Sequence, residues 1–292
     1  MQISTQTGSH MKYFSDKEIV DMLYDAGFDA IDYSFFDTQR CNPDISDEEY
    51  KKRFTDLRKY AEDKGLYFNQ SHAPHPSSLI DEAFTKRRYD ELITALKNSS
   101  YLGVRNIIIH PLQHLRYYTG ENVEVLYEMN VEFYRKLIPY CEEYGITICT
   151  ENMWQCYGNS DKIWDSTCSR AEEFARYIDG VASPYLKACV DLGHTVLVGE
   201  NPARMLRVLG DRVAALHVHD NDGIHDSHTL PFHGILKWDE IAKALKDIGY
   251  SGEITLETEG FIPKDMPKEF YPEATRYMAD VTKKFCKMIQ NA

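Results

Sequence analysis

The stretch Tyr144-Gly145-Ile146-Thr147-Ile148-Cys149-Thr150-Glu151-Asn152 sets the pattern of the whole chain. It follows a segment, residues 122–144, in which apolar side chains recur at helical spacing. Gly145 ends such a helix cheaply, because a left-handed C-cap strains any residue that carries a Cβ. The run after it is short and apolar, as a strand covered on both faces is. It stops on an acid and an amide, so the segment reads as helix, glycine, buried strand and polar end.

The same unit recurs on both sides. Strands are expected at residues 2–6, 30–35, 67–72, 106–110, 146–151, 187–191, 213–219 and 253–258. Helices are expected at 16–26, 47–64, 85–102, 122–144, 169–180, 201–210, 238–248 and 272–290, with Ser15, Ser46 and Asn201 as N-caps. Gly27, Gly65, Gly103, Gly145 and Gly249 each stand shortly before a strand. No Pro/Ser-rich linker divides the chain, so residues 1–292 read as one domain. Strict βα alternation with right-handed crossovers closes most naturally into an α/β fold of the (β/α)8 TIM barrel type. A doubly wound open sheet would want a Gly-rich phosphate turn after its first strand, and Thr7-Gly8-Ser9 is not one.

Composition excludes other classes. The 292 residues carry 33 Lys+Arg against 46 Asp+Glu, a net charge of −13, so the bulk field repels polyanions and no nucleic acid is expected as a partner. The basic clusters Lys51-Lys52-Arg53 and Lys86-Arg87-Arg88 fall within helices and read as solvated outer faces. No apolar run approaches the ~18 residues of a membrane span, and Met1–Thr7 lacks the blocks of a signal peptide, so a cytoplasmic protein is expected. The seven cysteines are odd in number and form no C-x-x-C, which leaves neither a disulfide framework nor a thiolate knuckle. Gly8-Ser9-His10-Met11 resembles a tag remnant but follows a strand-like segment and reads as native.

In a barrel the C-terminal ends of the strands ring one mouth, so polar residues there converge however far apart they lie in sequence. Here the ends carry His72, His110, Glu151-Asn152, Asp191 with His194, His217 with His219, and Glu257; Asp226 and His228 follow the seventh strand. Any one of these is ordinarily a hydrogen-bonded histidine or a helix-capping acid. Six consecutive strands ending this way, with no Lys or Arg among them, place several carboxylates in one low-dielectric mouth. A divalent cation offsets that cost. Glu151, Asp191, His217 and Glu257 supply three carboxylates and one imidazole, a donor set that suits manganese first, with cobalt, zinc or magnesium as alternatives.

These residues resemble the xylose-isomerase-like barrel superfamily of sugar and sugar phosphate isomerases and epimerases, most specifically in Asp191-x-x-His194, His217-x-x-Asp220, Asp226-x-His228 and Trp238-Asp-Glu-Ile241 leading to Glu257. The resemblance implies Glu151, Asp191, His217 and Glu257 as metal ligands, and His194 as a contact to a substrate hydroxyl. It also implies the chemistry: proton transfer next to a carbonyl through a metal-stabilised enediolate, with Glu151 and Glu257 as the catalytic carboxylates. Substrate contacts are expected from His72, His110, His194, His219, Asp226, His228 and Trp154. A carbohydrate is the expected small-molecule partner, with homo-oligomerisation left open.

Two alternatives share these parts. The zinc-dependent abasic-site endonuclease has the same barrel, and its nine ligands find counterparts in His72, His110, Glu151, Asp191, His194, His217, Asp226, His228 and Glu257. A keto-inositol dehydratase is the other. The chain departs from the ketose 3-epimerases proper in having His217-Val-His-Asp220 after the seventh strand, and Tyr157 where a second substrate-binding Glu is expected. Trp154 and Tyr157 in the loop 154–169, and Phe232 and His233 after the seventh strand, are expected as substrate walls. Gly158-Asn159-Ser160 is expected to let the first of these loops move, and Trp164 and Trp238 to anchor helices.

Overall fold

The computed structural model describes residues 1–113, 115–117, 120, 122–158, 160–263 and 265–292. In chain order the elements are β1 (Ile3–Gln6), α1 (Asp16–Ala26), β2 (Ala30–Ser34), α2 (Asp47–Asp63), β3 (Tyr67–His72), α3 (Glu82–Leu102), β4 (Asn106–Ile108), α4 (Val123–Tyr144), β5 (Thr147–Glu151), β6 (Trp154–Cys156), β7 (Ile163–Asp165), α5 (Ala171–Val181), β8 (Leu186–Asp191), α6 (Leu192–Leu197), α7 (Pro202–Leu209), β9 (Val213–His217), α8 (Trp238–Asp247), β10 (Ile254–Leu256) and α9 (Tyr271–Asn291).

Eight strands pair in parallel in the order β10-β1-β2-β3-β4-β5-β8-β9. The two ends meet just beyond β9, where Val218 bridges Leu256. There the Val218 amide donates to the Thr255 carbonyl at 2.9 Å, and the Glu257 amide donates to Val218 at 3.3 Å. The sheet is thereby a closed barrel, and the open-sheet alternative falls.

Each outer helix turns an apolar stripe to the barrel, seen in the fully buried Leu23, Phe54, Leu92, Leu137, Phe174, Leu206, Ile241 and Phe285. Inside the barrel, Ile108, Cys149, Cys189 and Ala215 form a small separate apolar cluster. The rest of the interior is polar and hydrogen-bonded. Ser4 donates to Asn69 Oδ1 at 2.7 Å, Asn69 donates to Thr255 Oγ1 at 3.1 Å, and Gln70 Nε2 donates to Asp32 Oδ2 at 2.9 Å.

The observed strands are shorter than expected at the mouth: β4 stops at Ile108, β9 at His217 and β10 at Leu256. The loop after β5 contains a short antiparallel hairpin, β6 with β7, and Asp191 caps the added helix α6 through the His194 amide at 2.6 Å. Trp238 anchors its helix as expected, its indole donating to Asp220 Oδ2 at 2.9 Å. Trp164 does not: it lies exposed on β7 and packs on Tyr157 with ring centroids 5.3 Å apart. Of the basic clusters, Arg88 departs from the solvated reading; it is buried, paired with Glu91 at 2.9 Å, and donates to the Pro76 carbonyl. His10 is buried against α9, Nε2 lying 2.9 Å from Thr275 Oγ1, which fits a native segment. Asn159 of the expected mobile triplet lies outside the described residues.

Candidate metal centre

Glu151 ends β5, Asp191 ends β8, His217 ends β9 and Glu257 follows β10, so four strand ends deliver four polar groups to one point. One ligand atom from each lies within 4.8 Å of the others, and all four residues are buried. His217 Nδ1 sits 3.0 Å from Glu257 Oε2 and 3.3 Å from Glu151 Oε2. Yet among the described residues Glu151 Oε2 and both His217 ring nitrogens find no hydrogen-bond partner. Buried polar atoms left this way cost free energy unless a further group satisfies them. Three carboxylates and an imidazole are the donors a divalent cation takes.

Imidazoles surround this core. Around Glu151, His110 Nε2 lies 3.1 Å from Oε2 and His194 Nδ1 lies 3.4 Å from Oε1, while His72 stands 3.9 Å off. Asp226 Oδ2 gathers His194 Nε2 at 3.2 Å, His228 Nε2 at 3.1 Å and the Trp154 indole N–H at 3.0 Å. His72, His110 and Glu151 form a second possible ligand group, and His194, His219, Asp226 and His228 a third.

The electrostatics of the metal-free centre follow from this interleaving. Burial works against ionised Glu151, but His217 and His110 outweigh it and hold the carboxyl well below its usual range. Burial also disfavours protonated His194, yet Asp191 and Asp226 push it up to about 10. His217 is likewise held well above 6.5 against burial by Cys189, Glu257 and Glu151. His72, crowded by His110 and His217 as well as buried, is depressed. Protons on imidazoles thus balance the carboxylates.

Above the centre opens a cavity of about 780 Å³, a volume typical of small-molecule sites. His72, His110, Glu151, Trp154, His194, Asp226, His228 and Glu257 line it, as the sequence reading placed them. His219 is different. It is fully buried behind Asp191, its Nε2 3.0 Å from Asp191 Oδ2 and its ring stacked on His228 at 4.0 Å, and it is not among the lining residues. The strand ends at His217, and His219 packs between Asp191 and His228 rather than on the cavity wall. Gly193 permits this packing, since a Cβ there would lie 2.0 Å from His219 Cε1. Tyr157, Phe232 and His233 also stay outside the lining; Phe232 packs on Trp238 and Phe285 over the rim.

Asn152, expected at the mouth beside Glu151, clamps the neighbouring strand end, donating to the Asp191 carbonyl at 2.9 Å and accepting from its amide at 2.8 Å. Other residues of the site lie outside the sequence reading. Asp32 lies fully buried beneath His217, Oδ2 3.8 Å from Nε2. Phe36, His75 and Glu259 line the cavity. The signal for Asp32 was an acid between Ile31 and Tyr33 in a buried strand, and for Glu259 an acid two residues beyond Glu257.

A closed parallel barrel with buried carboxylates and imidazoles at its C-terminal mouth defines a class of metal-site barrel proteins. Within that class the chain belongs to the xylose isomerase-like TIM barrel family, whose model matches residues 20–281. An uncharacterized protein, y4fM, of Sinorhizobium fredii is 26% identical over 86% of this chain and 84% of its own. A D-psicose 3-epimerase of Enterocloster bolteae is 24% identical over 95% and 92%. The crystal structure of an IolI protein with a bound zinc atom superposes with a TM-score of 0.75 at 19% identity, covering 100% of this chain and 99% of that one.

Proposed function

We propose that the protein is a divalent-metal-dependent sugar isomerase or epimerase that moves a proton on a carbon next to a carbonyl. The observation that carries this reading is the meeting of Glu151, Asp191, His217 and Glu257 beneath the cavity, with the two glutamates, but neither Asp191 nor His217, among its lining. These four would hold the ion, and the unpaired Glu151 Oε2 and His217 Nδ1 fit that role. When bound, a divalent ion supplies Lewis acidity for the negative charge that develops on the substrate oxygens as the proton leaves. Manganese suits the donor set, with cobalt, zinc and magnesium as the other candidates. The zinc bound in the IolI structure, a protein of the same fold, supports a metal here.

Glu151 and Glu257 come from strands three places apart around the closed barrel and reach the same point from different sides. One takes the proton and the other returns it on the other face, which inverts the carbon. A base must be ionised, and the imidazoles crowded on Glu151 keep it so. General base catalysis of this kind contributes about 10²–10⁴ in rate. His72, His110, His194 and His228 offer donors for hydroxyls, Asp226 an acceptor, and Trp154 an apolar wall. His219 positions Asp191 from behind. Incubation of the manganese-loaded protein with D-fructose or D-tagatose in heavy water tests this. Deuterium at the carbon beside the carbonyl, with a new epimer or isomer, is expected; no exchange with any ketose of a broad panel overturns it.

A second reading, a zinc-dependent phosphodiesterase of abasic DNA, is favoured by the two further ligand groups around His110 and Asp226. Three zinc ions per chain and nicking of abasic DNA at physiological salt would select it over one ion and sugar exchange. Loss of water from a keto-inositol would select the dehydratase.

A further inference from the structure

Glu259 lines the cavity, yet among the described residues neither of its carboxylate oxygens, both shielded from solvent, has a hydrogen-bond partner. The nearest imidazole nitrogen, His228 Nδ1, is 3.4 Å away and already faces the Glu257 carbonyl at 3.1 Å. The chain beside it is fixed by close backbone packing. The Gly260 amide donates to the His228 carbonyl at 3.1 Å, and a Cβ on Gly260 would lie 1.8 Å from the Ser227 carbonyl oxygen. This close approach clasps the two loops together. Asp226 Oδ1 is a second shielded acceptor of the cavity lining without a partner among the described residues. A buried acceptor without a donor is costly, and a ligand that brings one recovers that cost.

We infer that Glu259 is a specificity-determining residue: it accepts a hydrogen bond from a donor, hydroxyl or ammonium, on the bound sugar, and repels a phosphate there. This rests on the sugar reading of the site. A phosphate dianion in the same place would meet the Glu259 carboxylate with no donor of its own.

The test is calorimetric binding to manganese-loaded wild type and Glu259→Gln, with D-fructose, 6-amino-6-deoxy-D-fructose and D-fructose 6-phosphate as probes, beside deuterium exchange and metal content. The wild type is expected to bind the ammonium sugar best and the phosphate worst. In Glu259→Gln the ammonium sugar weakens roughly tenfold to a hundredfold, the phosphate sugar gains, and metal content is unchanged. Equal affinities of the wild type for all three probes, or loss of the metal from Glu259→Gln, overturns the assignment. Binding in the expected order without exchange refutes the isomerase reading and leaves Glu259 standing; no binding of any probe refutes both.

Discussion

Loading a divalent ion into the metal-free protein should release protons, and the affinity should climb with pH. His217 can ligate only as a neutral ring, because its Nδ1 lone pair must point at the ion. In the metal-free centre that nitrogen lies 3.0 Å from Glu257 Oε2 and 3.3 Å from Glu151 Oε2. Burial opposes the charged ring, but Cys189, Glu257 and Glu151 hold its pKa well above 6.5. The sign follows: the folded protein keeps this proton through neutral pH, and the ion must displace it. One displaced proton makes the affinity rise about tenfold, or ~1.4 kcal/mol, per pH unit, hence about a hundredfold between pH 6 and 8. His194, pushed up to about 10 by Asp191 and Asp226 despite burial, adds to the count if the ion expels its proton as well. Calorimetric manganese titration in buffers of different ionisation enthalpy counts the protons directly, and His217→Ala should bind more weakly with a slope lower by one. An affinity that changes less than about threefold over those two pH units, or a proton count of zero, refutes the reasoning.

Without metal, the raised pKa values stabilise the fold below 6.5, and the part due to His194 fades as pH rises through about 10, which thermal unfolding across pH should trace. Gly193→Ala should cost about 1–3 kcal/mol by driving a Cβ into His219, read as a lower Tm of the metal-free protein; an unchanged Tm would mean the ring moves freely. Trp238→Phe leaves Asp220 Oδ2 buried without its indole donor and should cost about 1–3 kcal/mol in denaturant unfolding. Glu257→Gln should slow deuterium exchange by about 10²–10⁴ while D-fructose binding persists; exchange at the wild-type rate would remove Glu257 from the proton path.

The barrel and the four-residue centre were legible because both depend on position more than on neighbours. A glycine ending a helix before an apolar run marks a βα unit, and the last polar residue of each run must face the mouth whatever the intervening loops do. The hairpin β6–β7 was not legible: its three-residue strands pair only with each other and carry no alternating pattern. Helix α6 was hidden because its cap is Asp191, a residue already read as a ligand. His219 shares a period-two face with His217 in an extended chain, so nothing before the strand's actual end separates a cavity wall from a buried support. Glu259 and Asp32 have meaning only through what surrounds them, which a linear string does not carry.

The seam of the barrel runs between His217 and Glu257, and the backbone there is joined by a single bridge, Val218 to Leu256. An ion at the mouth would therefore act as a clasp across the joint. The clasp stays unfinished until Glu257, the last of the four groups in chain order, is in place. Metal uptake is thus a signature of a completed ring, and a molecule truncated before β10 would lose the ion together with its closure.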